Sequence, residues 1–261
     1  MNYIEEFYNA RDEDARLTSK HGSVEYLTTM KYIRESVSGV DDPAILEVGA
    51  GTGRYSVTLA KEGYRVTAVE LVAHNLDILK SKLDGSERIT PVLGNALDLS
   101  FLADGAFDLT MLLGPMYHLY TEADKLQALR EAVRVTKPGG RILVAYCMNE
   151  ATVIQYAFAD NNLREVTDSD LLAPDWHCKS DPKEVFDLVR TEDIAALDAK
   201  IPVKRLKLVA TDGATQYHRA LIDGMDDETF RKWLDFHFAT CERQDLVGAS
   251  NHTLDILEKN R

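Results

Sequence analysis

The chain has 261 residues, of which 45% are hydrophobic and 28% charged. These proportions suit a folded globular protein and exclude a fibrous or largely disordered one. Thirty lysines and arginines against 43 aspartates and glutamates leave a net charge of −13, a surface that repels phosphate backbones and argues against a nucleic-acid partner.

Three cysteines (Cys147, Cys178 and Cys241) stand far apart. They lack the tight spacing of a disulfide scaffold or zinc knuckle, and no Asp/His cluster suggests a metal. The opening residues carry no basic and apolar blocks of a leader, and no apolar run approaches the roughly 18 residues of a membrane span. The expectation is a cytoplasmic protein without membrane contact.

Residues 1–42 are polar with a helical period: Val24, Leu27, Met30 and Ile33 share one face. They are expected to form an N-terminal helical lid, closed by the break at Asp42-Pro43. A regular alternation follows. Ala44–Val48 is a short apolar run, and Arg54–Lys61 is helical in pattern with Gly63 as its stop. Arg65–Glu70 reads as a strand, His74–Leu83 as a helix, Ile89–Leu93 and Phe107–Leu113 as strands. Thr121 and Asp124 have capping-box spacing and open a helix through Val133. Lys137-Pro138-Gly139-Gly140 is a turn before a fifth strand, Arg141–Cys147.

Strand–helix alternation implies crossovers and a parallel sheet, and continuous apolar runs imply strands buried on both faces. Residues 148–187 lose the pattern and read as an inserted cap in a domain spanning 43–261. A helix is expected at Arg190–Ala199, a strand at Val203–Ala210, a helix at Asp226–Glu242 and a last strand at Asn251–Leu257. The fold class is therefore α/β, Rossmann-like and doubly wound.

The most informative segment is Glu47-Val48-Gly49-Ala50-Gly51-Thr52-Gly53-Arg54. A strand enters a glycine turn that lets backbone approach a ligand closely. Glu70 ends the next strand, where an acid can accept both hydroxyl protons of a ribose. The dinucleotide fingerprint G-x-G-x-x-G is not met, because Arg54 occupies its third glycine. A pyrophosphate beside Glu47 is disfavoured, whereas a cationic, phosphate-free nucleoside gains from that carboxylate.

This segment resembles the first motif of class I S-adenosylmethionine-dependent methyltransferases, and later segments fall in register with that family. Glu70-Leu71 resembles its ribose-binding position. Gly94-Asn95-Ala96-Leu97 resembles the adenine-contacting loop, with Asn95 where Asp is frequent. Phe107 through Leu113-Gly114 resembles the fourth motif, Pro115-Met116-Tyr117-His118 follows it, and Lys137-Pro138-Gly139-Gly140 matches the turn before the fifth strand.

The resemblance implies a seven-stranded sheet with an antiparallel last strand. It implies S-adenosyl-L-methionine as cofactor and S-adenosyl-L-homocysteine as product. Glu47, Gly49, Ala50, Gly51, Gly53, Glu70, Leu71, Asn95, Ala96, Leu113 and Gly114 are the cofactor-binding candidates.

His118 and Tyr117 are the catalytic candidates, with His118 as base or as packing against the cofactor. Tyr8, His21, Tyr117, Trp176 and His218 are the candidates for a small-molecule acceptor of small or medium size and polar character. Three alternatives stay open: a cofactor-binding regulatory protein without turnover, an RNA methyltransferase, and an NAD(P)-dependent oxidoreductase. The acceptor atom and the oligomeric state are not legible.

Overall fold

A computed structural model describes residues 3–9 and 17–261. Residues 1, 2 and 10–16 of the expected N-terminal lid lie outside the described residues. Strands run at β1 Ala44–Val48, β2 Arg65–Glu70, β3 Ile89–Leu93, β4 Phe107–Leu112, β5 Thr136–Met148, β6 Leu188–Val189, β7 Val203–Ala210 and β8 His252–Lys259. Helices follow at α1 Tyr3–Asn9, α2 Lys20–Ser36, α3 Ser56–Lys61, α4 Ala73–Ser81, α5 Glu122–Val135, α6 Asn149–Thr152, α7 Leu163–Asp168, α8 Thr191–Asp198, α9 Arg219–Asp223, α10 Asp227–Thr240 and α11 Gln244–Val247.

The sheet order is β3-β2-β1-β4-β5-β8-β7. Strands β3 through β5 are parallel, and β8 is antiparallel to both β5 and β7. This is a Rossmann-like α/β sheet. It has one more strand than expected, because Leu188–Val189 pairs with Cys147–Met148; a two-residue strand has no period to read. Strand β5 also starts earlier than the sequence suggested. The Pro138-Gly139-Gly140 stretch stays within it, across a register shift against β4.

Every residue of β1 is buried. Its alternate side chains feed two cores, Leu46 and Val48 toward Leu129 and Ala132 of α5, and Ile45 toward Met30 and Ile33 of α2. That two-sided burial is what the unbroken apolar runs encoded. Thr121 is the N-cap of α5: its Oγ1 accepts from the Asp124 N–H at 3.1 Å and its hydroxyl donates to Asp124 Oδ2 at 2.7 Å, so half of the expected capping box forms. Gly63, at φ +96°, supplies the left-handed residue after α3.

Because the chain crosses from β3 back over β1 to β4, the loops after β1 and β4 diverge above the sheet. Such a switch point leaves a crevice at the carboxyl ends of the strands. Among the described residues, no helix is long and apolar enough to cross a membrane.

Candidate active site

A cavity of about 390 Å³ opens at that crevice. Four strand ends supply most of its wall: 47–55 after β1, 70–75 after β2, 94–97 after β3 and 113–120 after β4. Ten of the eleven cofactor candidates line it, all except Gly53. That residue is a packing glycine instead. At φ +86°, a Cβ there would stand 2.7 Å from Leu79 Cγ and 2.8 Å from Val57 Cγ2. Gly53 thus sets how closely the turn approaches α4. At Gly51 (φ +53°) an added Cβ would meet nothing within 4 Å.

Two carboxylates stand at the turn. Glu70 accepts from the Gly51 N–H at 2.7 Å and the Val72 N–H at 2.8 Å. Burial pushes its pKa up while these donors pull it down. The Asn75 side chain and the Leu71 N–H also donate to this carboxylate. Glu47 is fully buried, and burial pushes its pKa up to about 8 against a hydrogen bond from Ser56. Its Oε2 has no partner. Asn95 folds back on its own loop, its Oδ1 accepting from the Leu97 N–H at 3.0 Å. Arg54 is half-buried against this cavity, its guanidinium 4.6 Å from the Tyr26 ring centre.

A second cavity of about 650 Å³ adjoins the first, and the two share Tyr8, Leu17 and Tyr117. Aromatic rings of Phe7, Tyr8, Tyr117, Tyr156 and Phe186 form part of its wall. Its polar corner holds Glu25, Cys147 and His252. The cross-strand register sets Cys147 of β5 opposite His252 of β8. His252 Nδ1 lies 2.8 Å from Asp212 Oδ2 and 3.5 Å from Glu25 Oε2.

Asp212 is itself locked in place, its Oδ1 accepting from the Ser250 hydroxyl and from the Asn251 and His252 N–H groups. Burial opposes charge on His252, but Glu25, Cys147 and Asp212 outweigh it and hold the imidazole well above its usual pKa. Sequence reading missed this cluster, whose members are separated by up to 227 positions in the chain, from Glu25 to His252.

The acceptor candidates divide. Tyr8 and Tyr117 stand on the shared wall, and His21 lines the second cavity, bonded to Asp223 Oδ2 at 2.7 Å. Trp176 and His218, expected on the acceptor side, line neither of these two cavities. Trp176 sits exposed on a surface turn at φ +66°, against Phe158. His218 is exposed, and its neighbour Arg219 takes the cavity-facing place. His118 lines the first cavity but not the second.

Residues 45–140 match the family model of a methyltransferase domain. This part of the chain is similar to the class I S-adenosylmethionine-dependent methyltransferases. Similar curated proteins include the demethylmenaquinone methyltransferase of Clavibacter sepedonicus, 34% identical over 42% of this chain and 43% of its own length. The O-methyltransferase rstn1 of Aspergillus nomiae is 30% identical over 51% and 59%. The cypemycin N-terminal methyltransferase of a Streptomyces species is 34% identical over 49% and 50%. The chain therefore spans about half the length of the curated relatives it matches.

Among solved structures, a methyltransferase from Thermotoga maritima superposes with a TM-score of 0.58 over 99% of both chains, at 17% identity. One from Methanosarcina mazei gives 0.58 over 88% of this chain and 97% of its own, at 15% identity. These likenesses show the fold.

The donor set of the cavity fits S-adenosylmethionine, the cofactor of the methyltransferases this region resembles. The buried carboxylate oxygen of Glu47 without a partner suits a cationic ligand. The open space over Gly51 is a cradle that a side chain would fill. Glu70 places an acceptor-only carboxylate on the cavity wall, a group that suits hydroxyl donors.

Proposed function

We propose that this chain transfers a methyl group from S-adenosylmethionine to a small or medium polar acceptor held in the 650 Å³ cavity. The single observation that carries this reading is the pair of cavities meeting at Tyr8, Leu17 and Tyr117. One is lined by the glycine turn and the other by aromatic rings with one charged corner. When bound, S-adenosylmethionine supplies an electrophilic methyl on a sulfonium.

The chain's own residues do the rest. The Gly49–Gly51 turn and Glu47 receive the cationic amino-acid end, Glu70 the ribose hydroxyls, and Leu71, Asn95 and Ala96 the base. Leu113, Gly114 and Tyr117 border the meeting point. Methyl transfer is an in-line displacement, so alignment and exclusion of water can supply roughly 7–11 kcal/mol of the barrier reduction. In this reading, α1 and α2 act as the lid and residues 148–187 as the cap that encloses the acceptor.

The rings suit a flat or apolar body, and the Glu25–Asp212–His252 corner suits a polar group on it. The relatives' names span quinone, oxygen and N-terminal methylation, so the acceptor atom is not inherited from them.

Thermal melting tests the reading. S-adenosylhomocysteine should raise the midpoint by mass action, with about 4 kcal/mol of stabilisation at a thousandfold excess over Kd. Stabilisation by NAD instead would replace the donor assignment with the oxidoreductase reading.

A further inference from the structure

The second cavity needs a group on its shared wall able to take a proton from an acceptor, and His252 does not serve. Its carboxylate partners hold its proton tightly, and it lines the second cavity alone. His118 is half-buried on the donor side. Tyr8 connects the two compartments. Its ring lines both cavities, and its hydroxyl lies 2.8 Å from His118 Nε2.

The tautomer follows from the other ring nitrogen. His118 Nδ1 lies 2.8 Å from the Val185 carbonyl. A carbonyl only accepts, so Nδ1 carries the hydrogen. Nε2 is then the acceptor, and the Tyr8 hydroxyl donates to it. Burial depresses the imidazole's proton affinity, with the carbonyl pulling the other way. The ring is therefore neutral and ready to receive a proton.

The carbonyl that fixes this arrangement is held at a cost. Val185 sits at φ +67°, ψ −37°. For a β-branched residue that left-handed backbone stores about 1–3 kcal/mol. The same carbonyl accepts the Tyr120 hydroxyl at 2.7 Å. A strained residue whose one carbonyl takes donors from two side chains of the site is over-determined by its surroundings.

We propose that Tyr8 and His118 form a two-member proton relay for a protic oxygen acceptor, a phenol or enol, with the Val185 carbonyl fixing the imidazole tautomer. The relay rests on reading the two cavities as donor and acceptor compartments. The acceptor O–H passes its proton to the Tyr8 oxygen as the Tyr8 hydroxyl proton passes to His118 Nε2. The acceptor oxygen keeps its electron pair and becomes the nucleophile. Tyr8 ends unchanged, and the imidazolium donates to the Val185 carbonyl until it returns its proton to water. No electrons change hands. Tyr8 is the catalytic residue at the acceptor, and His118 acts through it.

Among the described residues, the groups facing this imidazole include Tyr8 from α1, the Tyr117 and Phe186 rings, and the Val185 carbonyl shared with Tyr120. The adjoining ion pair is Lys125–Asp187, at 2.5 Å.

Calorimetry with S-adenosylhomocysteine, nitrogen-15 NMR of His118, and release of S-adenosylhomocysteine with defined acceptors test the relay together. The acceptors are catechols, monophenols and hydroxynaphthoquinones, with alkyl amines of similar size as a counter-panel. A phenolic compound should be methylated. Tyr8→Phe and His118→Asn should each lower kcat on it by about a hundredfold or more, with S-adenosylhomocysteine affinity within about twofold. The double variant should be no slower than the worse single one, since either change breaks the same chain. Nitrophenols already ionised at the assay pH should lose far less.

NMR should show the Nδ1–H tautomer, with Tyr8→Phe raising the imidazole pKa. Turnover of amines alone, full activity in Tyr8→Phe, multiplying losses in the double variant, or an Nε2–H tautomer would each overturn the relay while donor affinity stands. A chain without affinity for S-adenosylhomocysteine would overturn the donor reading and the relay with it.

Discussion

Around the first cavity, nearly every lining residue comes from the few positions that follow β1, β2, β3 and β4. Around the second, the wall is gathered from α1, the start of α2, the end of β5, residues 152–188, residues 216–219 and the start of β8. The first is therefore a local construction repeated four times, in which each strand delivers its own short loop to the crevice. The second exists only once helices and strands distant in sequence have met. The same contrast holds for charge. Glu70 is held by N–H groups of its own turn and of the neighbouring glycine turn, and Glu47 by Ser56 nine positions on, whereas Asp212 and His252 depend on each other and on Glu25 of α2.

The difference decides how much could be read in advance. The glycine turn, Glu70 and the loop at Asn95 are legible because a strand's apolar run fixes where its terminal loop must project. The parallel sheet is legible for the same reason, since burial on both faces leaves unbroken runs. The polar corner is not. Cys147 and His252 meet through an antiparallel register, and Asp212 reaches His252 across the chain between β7 and β8. Pairing across such distances leaves no periodic trace in the sequence. Trp176 and His218 are legible only as aromatic and imidazole clusters in loops, and neither lines either of the two cavities. Gly53 shows a subtler limit: the spacing marks a glycine but not whether it faces ligand or a neighbouring helix.

Breaking the acceptor side at its most buried charge should give the largest effect. Asp212→Ala removes the acceptor of four hydrogen bonds, that of the His252 ring included, and leaves His252 with Glu25 as its carboxylate. Truncating one member of a buried charged network costs about 3–5 kcal/mol, read as a lower urea midpoint. Asp212 is held below its usual pKa, chiefly by His252 against the pull of burial. Its contribution is thus present above the carboxylate's unfolded pKa and lost as pH falls through the folded value. The gap between parent and variant should narrow in acid.

The donor side should respond to pH in the opposite sense. Burial raises Glu47 from 4.5 to about 8 in the folded chain, so folding favours its protonated form. That contribution is complete below the unfolded value and is lost as pH rises toward 8. Stability should fall by up to about 1.4 kcal/mol per pH unit across this window. Glu47→Gln should flatten the slope, and so should saturating S-adenosylhomocysteine, whose ammonium favours the carboxylate. A parent slope that persists undiminished in both would remove Glu47 from the donor's cationic end.

Within the donor turn, two glycines separate packing from binding. Gly53→Ala forces a Cβ against Leu79 and Val57 at positive φ and should cost about 2–4 kcal/mol of stability. Gly51→Ala carries only backbone strain of about 1–2 kcal/mol, because its Cβ meets no neighbour. It should weaken S-adenosylhomocysteine by more than its effect on unfolding, since the new methyl points into the cavity. Paired melts and titrations of the two variants compare these losses directly. Equal losses of affinity and stability at Gly51 would mean that the turn holds no ligand.

The smallest effect is expected at the residue composition made most conspicuous. Trp176 closes a turn in which its N–H donates to the Ala173 carbonyl at 2.9 Å, and its own carbonyl accepts from Asn149 Nδ2 at 3.0 Å. Both are backbone contacts that any residue keeps. The residue is 48% exposed, and its ring centre lies 5.7 Å from that of Phe158, itself on the surface. Trp176→Ala should therefore shift stability by less than about 1 kcal/mol, and Trp176→Gly should match or exceed the parent by relieving the positive φ. Turnover on a phenol from the acceptor panel should stay within about twofold for either variant, because the side chain touches neither cavity. A tenfold fall in kcat/KM with unchanged stability would instead draw this turn inward over the acceptor. The second cavity would then close by a movement that brings residues 173–178 to its mouth.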